Sequence, residues 1–219
     1  MIKIFTIHYK KLTERKQNII TQLDKFGLHT EFVEQFDRDI LQEKNLVIFD
    51  CNKLGRDGRA SIAITLSHIY CFSKISISND YNYALILEDD VLLSDNFLDK
   101  LNNYITKLPE NWDMLFIGDG CNLHIETKII QPNINIYNKC LYPTNWGGNG
   151  ATRCTDSYLV NKKCAIQICQ YINTMSHKID NNIDWWLNDV SRHYNFNVYW
   201  AEPTIVTQGT QNGKYKSSH

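Results

Sequence analysis

The chain has 219 residues, a formal net charge of -1, 43% hydrophobic and 21% charged residues. That length suits one α/β domain spanning residues 1–219 with a sizeable core, and the charge balance excludes the basic face that a nucleic-acid partner would require. The seven cysteines (Cys51, Cys71, Cys121, Cys140, Cys154, Cys164 and Cys169) have no spacing of a zinc knuckle or redox pair, so mostly buried, reduced thiols in a cytoplasmic compartment are expected, with one or two disulfides as the open alternative.

Ile2 to Ile7 alternates, with β-branched and aromatic content, and reads as the first strand. Its apolar run is too short for a signal peptide, and no segment is expected to span a membrane. Thr13 is the expected N-cap of a helix with Ile19, Ile20, Leu23 and Phe26 inward and Gly27 as its stop. His29 to Phe36 is the next strand, completing a right-handed βαβ unit. Asp37 to Arg59 reads as an irregular polar loop, and Ser61 to Ile77 as a helix.

Ala84 to Val91, ALILEDDV, carries the strongest signal in the chain. A short apolar run bounded by polar residues suits a strand buried on both faces. It leads into three consecutive acids, Glu88, Asp89 and Asp90. Such acids repel one another unless neutralised, and hard oxygen donors select Mg²⁺, Mn²⁺ or Ca²⁺. The carboxyl end of a strand is also where an open α/β sheet binds ligands. A solvated acidic turn is the alternative. On extended backbone Glu88 and Asp90 share a face and Asp89 points away.

A helix follows over Asp95–Leu108, capped by Asp95 and ended by Pro109, then a short strand at Met114–Ile117. Gly118 to Gly150 is glycine-bearing and aperiodic, as functional or mobile segments are. Thr155–Val160 reads as a strand, Lys162–Ile172 and Ile183–Tyr194 as helices, and Val198–Trp200 and Ile205–Val206 as strands flanking Glu202-Pro203. Alternating strands and helices predict an α/β fold with a mainly parallel sheet.

Taken in order, ALILEDDV, the helix beginning Asp95-Asn96-Phe97 and NWDMLFIG resemble glycosyltransferase family 25. Ser67-His68 in its helix, CTDSYLVNKKCA (Cys154–Ala165), Ile183-Asp184-Trp185-Trp186-Leu187 and the tail Glu202–Ser218 are similar to family segments too. The family includes bacterial lipooligosaccharide glycosyltransferases and collagen hydroxylysine galactosyltransferases. The resemblance implies a GT-A fold, Rossmann-like, with a nucleotide-diphosphate sugar as donor, most simply a UDP-sugar. It implies inverting transfer to a hydroxyl of a glycan or of hydroxylysine.

On that basis Asp90 and Glu88 are the expected ligands of Mn²⁺ or Mg²⁺, with Asp89 as a further ligand or a ribose partner. Asp184, at a helix start whose positive end keeps a carboxylate ionised, is the expected general base, and Asp156 the second candidate. An ordinary N-terminal helix charge is the alternative for Asp184. Thr6 to Arg15 follows the first strand, where nucleotide would sit; Arg15 would pair with phosphate or stack on the base, or else make a surface ion pair. Trp146, among Gly147, Gly148 and Gly150, is a candidate sugar contact on a closing loop. Gln208, with Gly209, Gln211 and Asn212, would order over the nucleotide; a frayed, mobile tail over about 207–219 is the alternative. His68 reads as a structural histidine. Of Trp185 and Trp186, one is expected in the core and one against sugar. A silent sugar- or nucleotide-binding module and a metal-dependent phosphohydrolase are the competing functions. Donor sugar, acceptor and oligomeric state are not encoded legibly.

Overall fold

The computed structural model describes residues 2–54, 58–139 and 150–216. β1 (Lys3–Ile7) leads through α1 (Thr13–Asp24) to β2 (Glu31–Val33), which pairs parallel with β1. α1 turns Ile19 and Leu23 inward. Thr13 lies inside the helix and Leu12 occupies the cap position, without a side-chain cap bond. Gly27 ends the turn at φ 64°, a conformation that costs glycine little. β2 is shorter than its apolar run implied. The segment after it contains a short helix, α2 (Glu43–Leu46), rather than loop alone.

α3 (Gly58–Ile77) precedes β3 (Tyr83–Glu88), the strand of the acid motif. At 20 residues with a mean hydropathy of 1.3, α3 is long and apolar enough to cross a membrane by composition, which the sequence reading overlooked. Here it is a core helix, with Phe72 and Ile75 fully buried. β4 (Val91–Leu93) follows the acids immediately, and α4 (Phe97–Lys107) is capped at Asn96 rather than Asp95. β5 (Met114–Phe116), β6 (Ile136–Asn138) and β7 (Ser157–Asn161) precede α5 (Lys162–Thr174) and α6 (Ile183–Tyr194). β8 (Val198–Ala201) and β9 (Val206–Gln208) complete the described chain.

The main sheet has the order β2-β1-β3-β7-β5-β8-β6, while β4 and β9 form a separate ribbon. β7 runs antiparallel between β3 and β5, and β6 antiparallel beside β8, so the sheet is mixed. The other strands share one direction. An apolar run buried on both faces looks the same in either direction, so Tyr158-Leu159-Val160 could not announce its reversal. Alternate residues of β3 divide between two cores. Ala84 and Ile86 pack with residues of α3, α5 and α6. Leu85 and Leu87 pack with those of α1 and α4. Helical layers therefore cover both faces of the sheet.

One buried ion pair ties the glycine-bearing segment to the sheet. Arg153, with no exposure, donates to Glu202 Oε1 at 2.6 Å and to the carbonyls of Gly118 and Ala201. Its guanidinium lies 4.3 Å from the Trp200 ring. Glu202 also accepts the backbone N–H of Ile125 at 3.0 Å. Removing one partner of such a pair strands the other charge in low dielectric. Arg153→Met is expected to cost about 3–5 kcal/mol in urea denaturation; a loss below about 1 kcal/mol would show the pair to be incidental.

Candidate active site

β3 stops at Glu88, whose N–H bonds the Asp156 carbonyl at 2.8 Å as the last rung toward β7. The chain turns at Asp89 and Asp90 and leaves as β4. The turn splits the acids. Asp89 points toward α1, where Oδ1 accepts from Arg15 Nη1 at 2.9 Å. Its Oδ2 lies 2.8 Å from His8 Nδ1 and accepts the Tyr9 N–H at 3.2 Å. Asp89 is thus fully engaged by protein. Arg15, itself buried, also donates to the Lys216 carbonyl at 2.6 Å and stacks 5.1 Å from the Tyr215 ring. Both groups are committed to holding the fold here. Thr6 lies inside β1, fully buried, with its hydroxyl 2.8 Å from that of Thr30.

Glu88 and Asp90 remain on the other side with Asp156. Asp90 Oδ2 accepts the Thr210 hydroxyl at 2.5 Å and its carbonyl accepts the Gly209 N–H at 2.7 Å. Its Oδ1 is buried without a hydrogen-bond partner. Burial first, and then the Glu88 charge, pushes the Asp90 pKa up to about 6. Asp156 stands just before β7 and is 1% exposed. Its Oδ2 accepts the Ser157 hydroxyl at 2.9 Å and its Oδ1 is unpartnered. Burial, then the charges of Glu88 and Asp90, raises it well above the usual carboxylate range. Glycines make this possible: a Cβ on Gly118 would lie 2.0 Å from Asp156 Oδ2, and one on Gly120 2.7 Å from its Oδ1.

These acids border a cleft of about 380 Å³ whose lining includes Glu88, Asp156, Asp184 and Gln208. Asp184 is the second residue of α6. Burial raises its pKa, and backbone N–H groups at the helix start oppose the rise. Gln208 ends β9, its N–H 3.3 Å from Asp119 Oδ1. Trp186 is buried and Trp185 partly exposed. Trp146 lies outside the described residues.

Sequence reasoning missed several residues. Asp119 stands between Gly118 and Gly120 just past β5, the same strand-end pattern that drew attention to β3. Thr155 donates to Glu88 Oε1 at 3.0 Å, and Thr210 could have been found only by folding the tail back. Cys121 and Cys154 also line the cleft, both with left-handed backbone at φ 54° and 48°. A smaller slot of about 60 Å³ lies at the end of β1, between His8, Tyr9, Phe36, Arg38 and Ser67.

The donor set suits a hard divalent cation: carboxylate oxygens only, two of them buried without partners, with like charges raising each other's pKa. Among the described residues no three acidic, histidine or cysteine groups form a ready cage.

Asp90 holds its proton more tightly folded than unfolded, so its contribution to stability is present below about pH 4 and lost as pH rises through about 6. Asp90→Asn is therefore expected to stabilise the metal-free protein by up to roughly 3 kcal/mol at pH 8 and by only about 1 kcal/mol at pH 4.5. Thermal melts in chelator at both pH values check this; equal effects at both would contradict it.

The sequence matches the profile of glycosyltransferase family 25 (LPS biosynthesis protein) over residues 1–183. It is 28% identical over 132 residues to a protein of Acanthamoeba polyphaga mimivirus assigned provisionally as a glycosyltransferase. That match covers 58% of this chain but 40% of the relative, so the chain spans less than half of the relative's length. Solved structures that align include a glycosyltransferase involved in glycosylation of the PBCV-1 major capsid (14% identity, 94% of this chain, 91% of that one, TM-score 0.45). Another is a Drosophila β-1,4-galactosyltransferase 7 mutant in complex with manganese, UDP-Gal and xylobiose (13% identity, 100% and 76% coverage, TM-score 0.45). The family match takes in β1, the acid motif, Asp156 and the start of α6, and the chain belongs to glycosyltransferase family 25.

Proposed function

We propose that the protein transfers a hexose, with inversion, from a UDP-sugar to a hydroxyl of a glycan or hydroxylysine-type acceptor, using Mn²⁺ or Mg²⁺. The observation that carries this reading is the pair of buried, unpartnered oxygens on Asp90 and Asp156, both under the charge of Glu88, with Glu88, Asp156 and Asp184 lining one cleft. Asp90 and Glu88 would hold the cation, which when bound supplies positive charge to offset that developing on the diphosphate. Asp89 serves indirectly, anchoring the motif through His8 and Arg15.

The acceptor oxygen forms a bond to the anomeric carbon as the bond to the diphosphate oxygen breaks. The bonding pair leaves on the diphosphate, and the acceptor proton passes to a carboxylate. Asp184 suits that task, because it is partly exposed in the cleft and its helix start favours the ionised form. Asp156 is enclosed by Gly118, Gly120 and Ser157, which suits it to shaping the floor. The aromatic slot beside Tyr9 and Phe36 has the lining that a nucleobase would take, and Gln208 lines the acidic cleft. Trp146 remains a proposed sugar contact. Free thiols at Cys51, Cys71, Cys121, Cys154, Cys164 and Cys169 support a reducing, cytoplasmic setting.

A nucleotide-release screen across UDP-sugars, with Mn²⁺ or chelator and mixed glycan and hydroxylysine-peptide acceptors, tests the reading. Release with one sugar, lost in chelator and in Asp90→Ala, is the expected result. Binding without release would favour the silent module, and phosphate cleavage without acceptor would favour a hydrolase. Asp184→Asn is expected to lower kcat by about 10²–10⁴ while leaving donor KM within a few-fold; an unchanged kcat removes Asp184 from the base role.

A further inference from the structure

His68 sits in α3 with no exposure. Its Nδ1 lies 2.8 Å from the Tyr158 hydroxyl, and the two rings stack with centroids 5.7 Å apart at 24°. Tyr158 stacks in turn on Phe116, 5.0 Å away at 12°. This column fixes the imidazole in position and orientation. Burial raises the Tyr158 pKa well above its ordinary value, so the group stays a neutral hydroxyl. Among the described residues its hydrogen-bond partner is His68 Nδ1 alone.

That hydroxyl decides where the imidazole carries its proton. If Tyr158 donates to Nδ1, the neutral ring is protonated at Nε2. The opposite tautomer would leave the phenol proton without an acceptor and turn a bare nitrogen lone pair toward a carboxylate. Nε2 is buried, has no hydrogen-bond partner, and lies 3.7 Å from Glu88 Oε1. The separation is longer than a hydrogen bond, as such contacts often are before a ligand is bound. The same oxygen accepts the Thr155 hydroxyl at 3.0 Å.

We infer that His68 is a positioning residue: with its tautomer set by Tyr158, it acts with Thr155 on Glu88 Oε1, leaving Oε2 free to take the cation. This rests on the metal-dependent reading given above. The arrangement parallels His8, whose Nδ1 engages Asp89 while its Nε2 lies 3.9 Å from Glu34. One histidine anchors the acid that turns away from the cleft, the other the acid that faces it.

Two amide substitutions separate the nitrogens. His68→Gln can place its amide nitrogen near Nε2, toward Glu88; His68→Asn reaches only the Nδ1 position, toward Tyr158. Mn²⁺ binding in the presence of UDP, followed by electron paramagnetic resonance, is expected to be about tenfold or more weaker in H68N than in H68Q. Near-ultraviolet circular dichroism confirms that each variant is folded. Imidazole ¹⁵N spectra of the wild-type protein, with the His68 signal identified by its loss in H68Q, should show the proton on Nε2. Tyr158→Phe should mix the tautomers. Equal Mn²⁺ affinity in H68N and H68Q, or a wild-type proton on Nδ1, overturns the inference while leaving metal-dependent transfer intact. If H68N does not fold, the ¹⁵N comparison of wild type with Y158F decides alone. A wild-type protein that binds no Mn²⁺ with UDP present overturns the metal-dependent reading and this inference with it.

Discussion

Three adjacent carboxylates at the end of a buried strand are the constraint around which this molecule is arranged. The chain neutralises one and leaves the others under strain. Asp89 receives a guanidinium, an imidazole and a backbone N–H, so its charge is compensated inside the fold. The nearest donors to the Glu88 and Asp90 carboxylates are hydroxyls, and both acids act on a third, Asp156. Desolvation and the charge of Glu88 raise the pKa values of both Asp90 and Asp156. A site of that kind stores unfavourable electrostatic energy that a bound cation can release.

The mixed sheet is what brings the third acid there. Because β7 runs antiparallel to β3, its first residues lie beside the last residue of β3, and Asp156 meets Glu88 directly. A parallel strand in that place would have put its carboxyl end there instead. β5 ends at the same edge and delivers Gly118, Asp119 and Gly120, and the two glycines, lacking side chains, let the backbone close against Asp156. α6 contributes Asp184 from the helical layer above. The acids therefore come from separate strand ends and one helix start, held by a rigid core of Phe116, Tyr158 and Phe72.

Much of this was legible in the sequence. The apolar run of β3 announced a buried strand, and the period of Ile183–Tyr194 announced its helix, with Asp184 in the first turn. Local patterns carried those readings because apolar period and helix-start chemistry act over a few residues. What stayed hidden was long-range. Arg15 and Thr6 stand close to the expected nucleotide position, yet one is spent on Asp89 and the other on Thr30. Nothing local distinguishes an arginine that meets phosphate from one that meets a buried carboxylate. Thr210 and Tyr158 acquire their partners 120 and 90 residues away, distances at which periodicity says nothing. The periodic apolar positions of α3 announced a helix, and Ile62, Leu66, Phe72 and Ile75 are indeed buried, although its composition alone is shared with membrane helices.

The tail has a temporal consequence. β9 zips against β4, the Gly209 N–H and Thr210 hydroxyl grip Asp90, and Tyr215 and Lys216 close over Arg15. A Cβ at Gly209 would fall 2.6 Å from the Tyr215 ring and 2.7 Å from the Asp90 carbonyl, so the closure leaves no slack. A nascent chain made only as far as Ile205 already contains every acid of the motif, yet it lacks each of these clasps. The acids thus leave the ribosome before the segment that fastens them, and the clasps on Asp90 and Arg15 can form only once Val206–Lys216 has been made.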